Sequence, residues 1–171
     1  MEISKVADII HKIADGFEEN GMACLAENSD RVILTVQEQM LCGQNGKGEL
    51  LAPTYDDDPF FEEEGDWYHR NADYKAWKRK IKPPKKSSLL DLPARPENVA
   101  NLFINGKFHS EILADRRGDV LHVDPGNGNG PDIVSKFGDD ILSMGPAAIR
   151  YFNREYLLPS IIKFFKDCGY Q

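Results

Sequence analysis

Apolar residues recur at spacings of three and four from the start of the chain: Ile3, Val6, Ile9, Ile10, Ile13 and Phe17, with Asp15, Glu18 and Glu19 set among them. That period predicts an amphipathic helix, and Asn20-Gly21 predicts its end. A second stripe, Val32, Ile33, Val36, Met40 and Leu41, predicts a second helix capped by Ser29 or Asp30. The glycines of Gly43-Gln44-Asn45-Gly46-Lys47-Gly48 predict a mobile turn after it. From Leu50 to about Pro96 the periodicity disappears, except that Ala72 to Ile81 fits a short helix stopped by Pro83-Pro84.

Beyond Pro96 the pattern changes again. The runs Phe108 to Ala114 and Asp119 to Val123 read as two strands of a hairpin, turned by Arg116-Arg117-Gly118-Asp119 with glycine where a positive φ is needed. A loop over Asp124 to Gly130 follows. Pro131 and Asp132 then suit the first turn of a helix carrying Ile133, Val134 and Phe137. A last helix begins near Ser143 or Gly145-Pro146 and holds Ile149, Phe152, Tyr156, Leu157, Ile161, Phe164 and Phe165. Pro159 lacks the N–H that a helix interior needs, so it is expected to kink or divide this helix at about Leu158. Together these elements predict one α+β domain spanning residues 1–171: about four helices packed on a small antiparallel sheet, with an irregular segment at about 50–96.

Composition narrows the function. At 171 residues with 41% apolar content, the chain can bury a core without staples. A net charge of -7 sets up a field that repels polyphosphate, which argues against broad nucleic-acid or anionic-membrane binding. No apolar run approaches the roughly 18 residues needed to span a bilayer, and the expected location is the cytoplasm. Cys24, Cys42 and Cys168 are odd in number, far apart and without paired histidines, so they read as buried or half-buried free thiols, not zinc ligands.

The irregular segment is strongly dipolar. Asp56, Asp57, Asp58, Glu62, Glu63, Glu64 and Asp66 precede Arg70, Lys75, Lys78, Arg79, Lys80, Lys82, Lys85 and Lys86. Interleaved are Tyr55, Phe60, Phe61, Trp67, Tyr68, Tyr74 and Trp77, too many large rings for a solvated linker. These seven are the candidate partner-binding residues. The neighbouring acidic and basic blocks either pair within one chain or join copies head to tail in a ring or stack.

Candidate chemistry is sparse. The carboxylate runs lack the alternating spacing and central glycine of a calcium loop. The glycines of Asp124 to Gly130 fall at every second position, matching neither phosphate-binding fingerprint, so the loop reads as a flexible connection. His109 and His122 could face each other across the predicted hairpin, yet no nucleophile motif accompanies them, and His69-Arg70-Asn71 lacks the second histidine of a nuclease core. No catalytic, cofactor-binding or metal-binding residues are assigned. A metal-dependent hydrolase or nuclease built on the acidic cluster and a cytosolic protein-binding adaptor stand as alternatives.

Several stretches carry a resemblance. Met40-Leu41-Cys42-Gly43 through Leu50-Leu51-Ala52-Pro53-Thr54-Tyr55, followed by Tyr74-Lys75-Ala76-Trp77-Lys78 and Lys80-Ile81-Lys82-Pro83, resembles small virion proteins encoded in bacterial prophages. Asn101-Leu102-Phe103-Ile104-Asn105-Gly106-Lys107-Phe108-His109-Ser110-Glu111-Ile112, with Lys136-Phe137-Gly138-Asp139-Asp140-Ile141-Leu142 after the hairpin, is similar to an element of tail-completion or head-tail joining proteins. Ile104-Asn105-Gly106 departs from the usual serine-glycine opening of that element. The resemblance implies a non-enzymatic virion component without cofactors. Its partners would be other phage structural proteins and copies of itself, and its residence the cytoplasm of the bacterial host before it joins a virion. It further implies that the Tyr55 to Lys86 loop reaches a neighbouring subunit.

Overall fold

The computed structural model describes residues 3–170. Seven α-helical stretches and one hairpin follow in order: α1 (Ile3–Glu27), α2 (Ser29–Leu41), α3 (Asn71–Ile81), α4 (Lys107–Glu111), β1 (Leu113–Arg117), β2 (Val120–Asp124), α5 (Gly130–Phe137), α6 (Pro146–Phe152) and α7 (Leu158–Asp167). A π turn at Asn153–Leu157 joins α6 to α7 without interruption, so the described residues form six separate helices. The mixed α and β class stands, and the expected count of about four helices is too low.

The extra helix explains part of the miscount. Phe108 to Ala114 does not run as a strand: Lys107–Glu111 is helical and β1 starts only at Leu113. Phe108 and Ile112, both buried, lie four residues apart, while Ser110 between them is exposed. The apolar spacing there is that of a helix turn, not of an alternating strand. Gly106, at φ +83, supplies the left-handed residue ahead of it. The hairpin itself closes as expected over Gly118-Asp119, with Arg117 opposite Val120 and Gly118 at φ +64.

Three other boundaries move. Helix α1 does not stop at Asn20-Gly21; it continues to Glu27, because Met22 and Cys24 beyond the glycine are buried and outweigh the cost of about 1 kcal/mol for a helical glycine. Asn28, not Ser29 or Asp30, stands at the start of α2, and its amide donates back to the Cys24 carbonyl at 2.8 Å. The expected kink or division at about Leu158 takes the form of a π turn at Asn153–Leu157 with α7 starting at Leu158, not of a break, since the wider turn accommodates the missing N–H of Pro159.

The turn after α2 is built, not mobile. The Asn45 side chain accepts from the N–H groups of Lys47 at 2.9 Å and Glu49 at 3.0 Å. The Gly46 N–H donates to the Asp140 carbonyl at 2.7 Å, where a β-carbon on Gly46 would lie 2.6 Å from that same oxygen. Buried Gln39 fastens the opposite side, donating to the Ser143 carbonyl at 2.6 Å and accepting from the Gly145 N–H at 2.8 Å.

The main core gathers Val36 and Met40 of α2, Leu51, Tyr55 and Phe61 of the irregular segment, and Phe108, Ile112, Ile141 and Leu142. Cys24, Val32 and Phe152 join α1, α2 and α6 in a second cluster that Leu121 and Val123 of β2 cover. Cys24, Cys42 and Cys168 are free thiols, the first two buried and the third half-buried.

Candidate functional site

Six of the seven candidate rings come together, and they do so within the chain. Tyr74 on α3 sits at the centre, with ring centroids 5.0 Å from Trp67, 5.1 Å from Tyr55, 5.3 Å from Phe61 and Trp77, and 6.5 Å from Phe60. Most are tilted or edge-on, the arrangement that sets ring edges against ring faces. Tyr55 and Phe61 are buried, and Trp67, Tyr74 and Trp77 are half-buried. Burial pushes the Tyr55 and Tyr74 hydroxyls well above the usual phenol range. Tyr68 stands apart, its ring against His69 at 3.9 Å, and with Phe60 it is one of the two rings of the set with large exposed areas. The segment from Tyr55 to Lys86 therefore packs most of its rings onto its own core and leaves Phe60 and Tyr68 exposed.

Some of its charges also pair within the chain. Asp56 receives Lys75 at 2.5 Å and Asn98 at 2.9 Å, and the Lys75 ammonium holds its carboxyl below the usual range. Buried Asp58 receives Lys136 of α5 at 2.6 Å and caps the 3-10 turn at Pro59–Glu62 through the Phe60 N–H at 3.0 Å. Glu62 lies 3.6 Å from His69. Three of the seven acidic residues thus meet separate basic partners, and no group of three His, Cys, Asp or Glu able to hold a metal ion occurs among the described residues.

Lys78 belongs to the basic run in sequence, but it is 2% exposed and donates to the Phe103 carbonyl. Burial lowers its ammonium to about 8, with nearby Arg95 adding to the shift. Arg95 is buried too and is held by carbonyls, including that of Val99 at 2.7 Å. The clue to Lys78 lay in phase: Tyr74, Trp77 and Ile81 form the apolar row of α3, and position 78 falls within it. Lys78 lines a cavity of about 250 Å³ together with Tyr55, Phe61 and Tyr74.

The two histidines expected to face each other do not. His109 is buried in α4, its ring nitrogen 3.2 Å from the Asn101 carbonyl, and burial lowers its pKa. His122 sits on β2 opposite Asp115. The glycine loop is also less free than a flexible connection. A β-carbon on Gly126 would lie 2.7 Å from the Glu111 backbone oxygen, and one on Gly130 would lie 2.3 Å from the Pro125 oxygen. Its glycines are thus needed for close backbone approach.

The largest concave feature was not foreseen. A groove of about 860 Å³ runs along β2, walled by Leu121 and Val123, by Val134 and Ser135 of α5, and by Leu142 and Met144. Strand β2 pairs only with β1 among the described residues. Alternation from the Arg117–Val120 pair turns the N–H and C=O groups of Leu121 and Val123 away from β1, toward the free edge. Asp119, His122, Asp124 and Asp139 rim the groove, and of the three carboxylates Asp124 is the one held by an arginine, Arg117 at 2.7 Å. The groove thus combines apolar walls, an unpaired strand edge and an acidic rim.

Compared with models of protein families, with curated proteins and with solved structures, the chain matches none. No helix of the described residues is long and apolar enough to cross a membrane.

Proposed function

We propose that this chain works by assembly with other proteins and performs no catalysis, as a structural component of a tailed phage or prophage of the tail-completion or head-tail joining kind. In this reading it waits in the cytoplasm of the bacterial host before it joins the virion. The observation that carries the assembly half is the groove along β2, where two residues hold unpaired backbone groups over an apolar trough. Strand addition there would satisfy both sets of groups at once, with alternate side chains of the incoming segment entering the trough beside Leu121 and Val123. The acidic rim favours Lys or Arg on that segment. The virion half rests on the resemblance of the segments around Met40 to Pro83 and Asn101 to Leu142.

The test mixes the purified chain with each head and tail protein encoded beside its gene and measures complex formation by light scattering. A stable complex is expected with one of them. Ser135→Trp, which fills the groove from an exposed position, and Val123→Pro, which removes a free-edge N–H without touching the β1 ladder, should each weaken it by 10-fold or more, about 1.4 kcal/mol. A complex indifferent to both variants, or none with any neighbour, rejects the proposal.

A further inference from the structure

The pairing of α1 with α7 leaves a face that nothing among the described residues covers. Gly16 admits Phe164, where a β-carbon would lie 2.9 Å from the ring; Ser160 donates to Asn20 at 3.4 Å; Gly169 sits beside Ile9. Residue numbers rise along one helix as they fall along the other, so the two run antiparallel. At about 100° per residue, Ile9, Gly16 and Asn20 form the row of α1 that meets α7, and Ile3, Val6, Ile10 and Phe17 form the row next to it. On α7 the corresponding outer row is Leu158, Ile162 and Phe165. The rows belong to one surface, because the rings of Phe17 and Phe165 are 6.3 Å apart. The opposite side of α1 carries Asp8, Lys12, Asp15 and Glu19, and there the hairpin docks through Arg116, which donates to Glu19 at 2.7 and 2.6 Å.

We infer that this apolar face is the interface with a second copy of the same chain, joined about a two-fold axis parallel to the helices so that α1 of each copy lies over α7 of the other. Area supports it. Ile3 is 89% exposed, Ile10 58%, Leu158 54%, Ile162 48% and Phe17 46%. With Val6 and Tyr170 these amount to on the order of 700 Å² of accessible surface, close to the about 800 Å² per partner that a stable interface buries and beyond the largest apolar patch of most monomers. Charge selects the partner. Glu18 lies on the outer edge of α1 and Lys166 on the outer edge of α7, and neither has an ion-pair partner among the described residues. Because Gly16 lies level with Phe164 and Asn20 with Ser160, the parallel axis sets Glu18 level with Ile162 of the second copy. Lys166 is then one helical turn away, about 6 Å, within reach of its own side chain. The face is thus self-complementary, with a negative rim meeting a positive rim twice. Small Ala7 and Ala14 on the same edge of α1 allow the helices to approach closely.

The inference is independent of the groove along β2 and is tested on the full chain by sedimentation equilibrium up to about 100 μM, a range that detects a dissociation constant of about 40 μM or tighter. A dimer is expected. Ile10→Glu and Ile162→Glu should each make it monomeric with unchanged circular dichroism, since both positions are exposed in the single chain. Glu18→Lys and Lys166→Glu should each weaken the dimer about 3- to 10-fold, and the double exchange should restore it. A chain that stays monomeric, a dimer that tolerates Ile10→Glu, or a double exchange weaker than either single variant overturns the inference.

Discussion

The irregular segment around Tyr74 and the paired helices α1 and α7 invert the usual relation between regularity and burial. Residues 50–70 have almost no regular structure, yet they place Leu51, Tyr55 and Phe61 in the main core. Helix α7 has the cleaner apolar stripe and no buried residue at all, and α1 buries only Met22 and Cys24 over 25 residues. Periodicity reports which side of an element is apolar. It does not report whether anything in the same chain covers that side. A dense, aperiodic set of large rings can bury itself by edge-to-face contact, whereas a two-helix layer always has a second face.

The largest effect that would break this contrast is at Tyr74. Tyr74→Ala removes the ring that five others contact and should cost about 3–5 kcal/mol of unfolding free energy in a denaturant titration. Loss of less than about 1 kcal/mol would mean that the block is a surface ornament and not core. Ile10→Ser, in the regular but exposed row, should cost under about 0.5 kcal/mol in dilute, monomeric protein.

Lys78 sharpens the comparison by pH. Its folded pKa of about 8 lies below the ordinary 10.5, so between those values the unfolded chain holds a proton that the folded chain has lost. Stability therefore rises with pH through that window, and below pH 8 the full cost of a buried ammonium is present. Lys78→Met should stabilise the protein at pH 7 by about 1–3 kcal/mol, with the advantage shrinking toward pH 10. An equal difference at both pH values would show that the gain comes from packing alone. The smallest core effect expected is at Gln39: Gln39→Leu leaves the Ser143 carbonyl and Gly145 N–H unpaired and should cost about 1–3 kcal/mol in the same titration.

Much of the fold was legible from local pattern. Helices α2 and α3, the hairpin turn at Gly118 and the Pro131 start of α5 follow from stripes, a positive-φ glycine and an N-terminal proline, all of which act within a few residues. Where the reading failed, distant burial outweighed a local signal: Met22 and Cys24 carried α1 through Gly21, and Phe108 with Ile112 turned a presumed strand into α4. The candidate site was less legible. Six of the seven rings pack as one group and Tyr68 does not, and sequence offered no way to tell an inward block from an outward arm. The groove along β2 carries no signature, because its walls come from α1, α2, β2, α5 and the Leu142–Met144 segment, and a strand edge is free only when no other strand arrives.

The sequence by itself determined most of the helical stretches, such as α2, α3 and α5, the hairpin turn, and that a cluster of rings and opposed charges lies between residues 50 and 96, since those properties depend on neighbours along the chain. Only the tertiary structure decided that the rings close on Tyr74, that Asp56 and Asp58 find Lys75 and Lys136, and that β2 and the α1–α7 layer keep an open side. Those outcomes depend on which surfaces meet across large sequence separations, and contact of that kind is set by the packing of the whole chain.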